Sequence, residues 1–141
     1  MRARFLVFSL ALPVLLTGCT QLYSVRPGNL TPALIASAPE QRVAIWQHAV
    51  TVLLDQGYVP QVLNEAAGFI SAKRREDLAD DALAGTIALV SISPQGEVRV
   101  EVSGAGLFHS EQDFLKTISD RQNLLAHLIA QPAAPRPVRG S

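Results

Sequence analysis

The sequence predicts an α+β fold, a two-layer sandwich in which an antiparallel sheet of about four strands carries two helices on one face. Two segments with apolar residues at helical spacing, 40–56 and 111–130, enclose four extended runs separated by turn residues. Helices with one apolar side and a meander with one apolar face bury each other best as two layers. The expected order is α-β-β-β-β-α, within residues 39–131.

The first helix is predicted between Pro39, a residue type favoured at helix starts, and Gly57, one typical of helix ends. One side of this helix is apolar and consists of Val43, Trp46, Ala49, Val50, Leu53 and Leu54. The other side is polar and consists of Gln47, His48, Thr51 and Asp55. We therefore expect the first side to face the sheet and the second to face solvent.

Two hairpins are predicted after Gly57. Residues 58–64 and 69–74 form the first, and Pro60 favours a sheet edge for its first strand because proline lacks an amide hydrogen. A charged surface loop is expected at 75–85. Residues 86–93 and 97–103 form the second hairpin, whose last strand alternates valine with polar residues, so that Arg99 and Glu101 face away from the core.

The glycines that follow, Gly104 and Gly106, are expected to end the sheet, with His109 in the loop beyond them. Ser110 with Asp113 three residues later resembles a helix cap, and the second helix is predicted over 111–130. Its apolar stripe contains Phe114, Leu115, Ile118, Leu125, Leu128 and Ile129. Three prolines in 132–141 predict a disordered or polyproline-like tail.

The first 18 residues have the pattern of an export signal. Arg2 and Arg4 precede an apolar run over 5–16, followed by the small pair Thr17 and Gly18. The apolar run is shorter than the roughly 20 residues that a membrane-spanning helix needs. We therefore expect a cleaved signal and not a permanent span.

Leu16-Thr17-Gly18-Cys19 resembles the lipobox of bacterial lipoproteins. The resemblance implies cleavage between Gly18 and Cys19 and acylation of the Cys19 thiol and amino group; the alternative is an unmodified buried cysteine after an ordinary signal. Thr20 stands where enteric lipoproteins retained in the inner membrane carry aspartate. This favours the periplasmic face of the outer membrane over the inner membrane.

Residues 19–38 contain Pro27, Gly28 and Pro32 without clear periodicity, which predicts a flexible tether that leaves the orientation of the domain free. The alternative is that Tyr23 and Leu30 dock on the domain. Removal of residues 1–18 leaves ten Lys and Arg against twelve Asp and Glu, a net charge of about −2. Nucleic-acid-binding proteins usually carry a concentrated basic field, so no such partner is expected. About 123 residues remain, enough for one domain.

No pattern in the sequence indicates catalysis. A Gly-x-Ser-x-Gly turn and a phosphate-binding loop are both absent from the sequence. His48 with Asp55 and His127 with Asp120 offer too few ligands for zinc. We expect no enzyme activity, cofactor or metal. We retain Arg121, His109, Arg99 and Glu101 as candidate binding residues. Arg121 lies within the apolar stripe, so either its aliphatic stem packs there or its guanidinium binds an anionic group.

The chain is similar to small envelope lipoproteins built as helix, meander and helix. The similarity lies in the helix over 43–56, the following Gly57-Tyr58, and the meander with Asn64, Gly68, Ile70 and Ala72. The repeated domains of the assembly-machine lipoprotein BamC are among them. The resemblance implies an accessory or scaffold module that contacts an envelope protein. The alternative is a module that binds a small envelope ligand, a glycan or a lipid, in a groove between helices and sheet.

Overall fold

A computed structural model describes residues 20–74 and 85–131. Six strands, one short 3-10 turn at Pro39–Gln41 and two α-helices make up this part of the chain. In chain order they are β1 (Gln21–Val25), β2 (Ala33–Ile35), α1 (Arg42–Asp55), β3 (Tyr58–Asn64), β4 (Phe69–Arg74), β5 (Gly85–Ile92), β6 (Val98–Phe108) and α2 (Glu111–Ala130). The predicted signal, Cys19, the charged loop at 75–84 and the tail at 132–141 lie outside the described residues.

The sheet is antiparallel, with the strand order β1-β6-β5-β4-β3, and β2 pairs with the same side of β6 as β1 does. The α+β class, the antiparallel sheet and the two helices are therefore confirmed. The expected number of about four strands and the order α-β-β-β-β-α are wrong, because two strands precede α1. Across the described residues the order is β-β-α-β-β-β-β-α.

The prediction of a flexible tether is wrong for residues 21–35. β1 pairs with residues 104–108 of β6, and β2 pairs with residues 98–100. Val25 is buried, and the ring of Tyr23 stacks on Phe114 with a centroid separation of 6.0 Å. The sequence did not predict these strands because five and three residues are too few to show periodicity. Two prolines and a glycine between them also suggested an irregular segment.

The glycines at 104 and 106 do not end the sheet, because β6 continues through them to Phe108. A Cβ atom on Gly104 would stand 2.9 Å from the Gly85 carbonyl oxygen and 3.0 Å from Ile118 Cδ1. Glycine at this position thus lets α2 approach β6 and lets β5 lie alongside. The glycines serve close packing within a strand.

The core lies between the helices and one sheet face. Alternate residues of the inner strands point into it, namely Ile70 and Ala72 of β4, Ala88, Val90 and Ile92 of β5, and Val98, Val100 and Val102 of β6. From α2 come Phe114, Ile118, Leu125 and Ile129, and from α1 come Ala49, Val52 and Leu53. This core also includes Tyr58 of β3.

The two helices differ in how well their sequence predicted their packing. α2 runs over the predicted 111–130, and the Ser110 hydroxyl accepts the predicted cap hydrogen bond from the Asp113 amide at 3.1 Å. α1 lies at the β3 side of the sheet and buries a narrower side than expected. Val43 and Leu54, expected in the core, are 51% and 49% exposed. In the described residues no helix is long and apolar enough to cross a membrane.

Candidate functional site

Arg99 and Glu101 lie on the sheet face opposite the helices, which we call the open face. On β6 this face consists of Arg99, Glu101, Ser103, Ala105 and Leu107, which alternate with the core valines and glycines. The Glu101 carboxylate accepts a hydrogen bond from the Gly28 amide, in the connection between β1 and β2. Arg99 is exposed and, with Leu34 and Ser91, lines a shallow cavity of about 320 Å³. Glu101 is thus occupied in holding the β1–β2 connection.

Arg121 projects from α2 toward the sheet and not into solvent. One guanidinium nitrogen donates to the Thr86 hydroxyl at 2.7 Å, and Thr86 is buried. Arg121 also lines a cavity of about 190 Å³ together with Arg74 and Tyr58. The guanidinium therefore joins α2 to β5, and this contact accounts for a cation within the apolar stripe.

His109 is exposed and does not line the cavities that Arg99 and Arg121 line. The structure does not bring it together with Arg121, Arg99 and Glu101 into one site. Asp120, which the sequence offered as a partner for His127, instead binds Lys116 at 2.6 Å, and this hydrogen bond raises the pKa of Lys116. Among the described residues, no group of three or more His, Cys, Asp or Glu side chains is arranged to hold a metal ion.

A groove of about 340 Å³ lies between the start of α1 and the end of α2. Its lining is mainly apolar and consists of Ile35, Ala36, Ser37, Gln41, Ala44, Ile45, His48, Val98, Ile129, Ala130 and Gln131. The prediction that His48 faces solvent is wrong, because its Nε2 lies 3.0 Å from the Leu128 carbonyl oxygen and joins the two helices. The Ser37 hydroxyl donates to the Gly96 carbonyl oxygen. The groove thus combines an apolar floor with polar groups that already have protein partners.

A second surface lies where α1 meets β3, the strand at the end of the sheet. Four large apolar side chains of these two elements are about half exposed, and we call this set the edge patch: Val43 and Leu54 near the two ends of α1, and Val62 and Leu63 in β3. Val62 and Leu63 are consecutive in the strand, so they point to opposite faces of the sheet. The register of β3 against β4 shifts between Pro60 and Val62, which agrees with the edge position predicted from Pro60. The patch therefore presents apolar area beside a strand edge that no other strand of the described residues pairs with.

Two polar residues with structural roles escaped prediction. Gln122 is buried on α2, where its side chain binds the Val102 amide and the Thr31 carbonyl oxygen. Arg42 donates to the carbonyl oxygens of Ala66 and Ile92 at 3.1 and 3.3 Å. The burial of Gln122 could have been predicted, because it stands four residues after Ile118 in the buried stripe of α2. Nothing in the sequence around Arg42 indicated its two contacts.

Comparison with known proteins adds no family to this description: no protein-family model matches the chain, and no curated protein is detectably similar to it.

Proposed function

We propose that this chain is a lipid-anchored accessory or scaffold protein of a periplasmic envelope assembly. Acylated Cys19 holds it to the outer membrane, and protein–protein contacts are its activity. The lipobox-like sequence before Cys19 supports the anchor, and the edge patch supports the contact. Catalysis is not part of the proposal.

The edge patch is the observation that carries the protein–protein part. Single exposed apolar residues are ordinary on protein surfaces, whereas several of them along a strand edge and on the helix beside it are typical of recognition surfaces. A partner strand can pair with such an edge while its side chains cover the neighbouring apolar residues. The bulge at Pro60 restricts this pairing to the part of β3 after it.

Site-specific photocrosslinking tests the contact. A benzophenone amino acid at Leu63, in the full-length lipidated chain in its host, should give a discrete adduct with one envelope protein, and the same probe at the exposed Asn123 of α2 should not. Leu54→Glu should abolish the Leu63 adduct. Leu115→Glu is the matched control, because Leu115 is 36% exposed and lies at the start of α2, where the neighbouring Phe114 packs on Tyr23 of β1.

Two results would count against this role. If the adduct at Leu63 is no stronger than the adduct at Asn123, the edge patch is not the contact surface. An intact mass of the membrane-extracted protein without acyl chains removes the anchor. The two measurements are independent, so each part of the proposal fails separately.

The second candidate function is binding of a small envelope ligand, a glycan or a lipid, in the groove between α1 and α2. Its volume of about 340 Å³ falls within the range of small-molecule sites, roughly 300–1,000 Å³. Its apolar floor suits an acyl chain better than a sugar. Native mass spectrometry of the purified protein should find a retained lipid that Ala44→Trp displaces; a ligand-free protein unaffected by this substitution argues against binding.

A further inference from the structure

The distance between Cys19 and the folded domain is set by a single residue. β1 begins at Gln21, so only Thr20 separates it from Cys19. Two fully extended residue steps span at most about 7 Å. A chain acylated at Cys19 therefore has no tether, and the corner of the sheet where β1 begins must lie against the headgroups.

That corner carries two exposed leucines on the open face. Leu22 of β1 and Leu107 of β6 are partners in the antiparallel register, and they are 49% and 63% exposed. Directly opposed residues lie about 5 Å apart, so the two side chains form one continuous apolar surface beside the anchor. The acidic residues at this end, Glu111 and Asp113, belong to the first turn of α2, on the other face of the sheet.

We propose that Leu22 and Leu107 form a membrane-contact surface that fixes the orientation of the domain on the lipid bilayer. The inference rests on the acylation of Cys19 in the proposed function. Half-buried leucines gain free energy on entering the interfacial region, and the anchor supplies their proximity. Because the described residues of this surface include no basic cluster, we do not expect contact to require anionic lipid.

The orientation has a consequence for the edge patch. β1 and β3 lie at opposite ends of the sheet order, four strand spacings apart, about 19 Å. About 19 Å of sheet therefore separates the corner that contacts the membrane from the edge patch. The two apolar surfaces thus serve different contacts, one with lipid and one with protein.

Fluorescence quenching in vesicles tests the orientation. A thiol-reactive fluorophore is attached at Ser24→Cys, on exposed β1, or at Gln95→Cys, in the turn at the far end of β6. The protein is full-length, acylated and reconstituted in phosphatidylcholine vesicles with nitroxide-labelled headgroups. Cys19 is the only native cysteine, so acylation leaves the introduced thiol as the only reactive one.

We expect strong quenching at Ser24 and little at Gln95. Adding Leu22→Ser and Leu107→Ser should bring the Ser24 signal close to the Gln95 signal while the protein still floats with the vesicles, and circular dichroism should be unchanged. Equal quenching at both positions would contradict the proposed orientation. So would quenching at Ser24→Cys that Leu22→Ser and Leu107→Ser leave unchanged. If acylation itself fails, the protein does not float and the Cys19 thiol reacts with the fluorophore.

Discussion

At the scale of single residues, Gln122 explains how the sheet tolerates an interrupted edge. β1 ends opposite Gly104 and β2 begins opposite Val100, so Val102 between them has no strand partner on that side. The Gln122 Oε1 accepts from the Val102 amide at 3.1 Å, and its Nε2 donates to the Thr31 carbonyl oxygen at 2.7 Å. One side-chain amide thus completes the backbone hydrogen bonding that a continuous strand would have supplied.

This role predicts the effect of removing the amide. Gln122→Leu should lower the free energy of unfolding by about 1–3 kcal/mol, because the buried Val102 amide loses its acceptor. Urea denaturation measures the change. Gln112→Leu is the matched control on the exposed side of α2 and should change stability by less than about 0.5 kcal/mol. Equal effects at the two positions would contradict the bridging role.

Arg121 shows the limit of reading residues from a helical pattern. Its position among apolar residues was correctly identified, but periodicity gives no information about which strand residue lies opposite. The Thr86 hydroxyl lies opposite Arg121, so the guanidinium, a candidate for binding an anion, instead links α2 to β5. The prediction for His48 was wrong for a related reason. Its helical position indicated exposure to solvent, but α2 packs beside α1 and places His48 between the two helices.

At the scale of elements, the parts of the fold that were predicted are those with long or regular patterns. α2 has a broad apolar stripe and a serine cap, and the β5–β6 hairpin has alternating valines around a Pro-Gln-Gly turn. β1 and β2 escaped prediction because they are too short to show a periodic pattern and are held by contacts with β6 and α2 that the local sequence does not reveal. A long strand such as β6 needs cover along its whole length, and a local pattern does not show which segment provides it.

Gly104 makes this element-level packing testable. Gly104→Val should lower the free energy of unfolding by about 1–3 kcal/mol, since its Cβ would press on the Gly85 carbonyl oxygen and on Ile118. Ala105→Val is the control in the next residue of the same strand, where the side chain lies on the open face. Valine favours strands, so the control should be neutral or slightly stabilising. Equal loss in both variants would show that the strand, and not its packing against α2, is sensitive.

At the scale of the whole molecule, the two ends of the sheet are protected differently. One end of the sheet is formed by two short strands, β1 and β2, in succession along β6, whereas in the described residues the other end is the single strand β3, interrupted by the bulge near Pro60. Open edges tend to pair with other chains unless they are shortened or distorted. The part of β3 after the bulge remains available, and this asymmetry matches a domain with one membrane side and one partner side.

The last whole-molecule prediction concerns residues 20–37, which lie within the segment that the sequence predicts to be a flexible tether. A protein beginning at residue 38 should be at least about 3 kcal/mol less stable to urea than one beginning at residue 20. Burial of a large apolar side chain contributes roughly 1.5–3 kcal/mol, and the deletion removes the buried Val25, the Tyr23 ring stacked on Phe114 and the Thr31 partner of Gln122. It also exposes the edge of β6, so the shorter protein should aggregate at concentrations where the longer one stays monomeric. An unchanged urea midpoint in a monomeric shorter protein would mean that β1 and β2 rest on the domain without stabilising it, and the fixed orientation inferred for the membrane-bound chain would lose its basis with them.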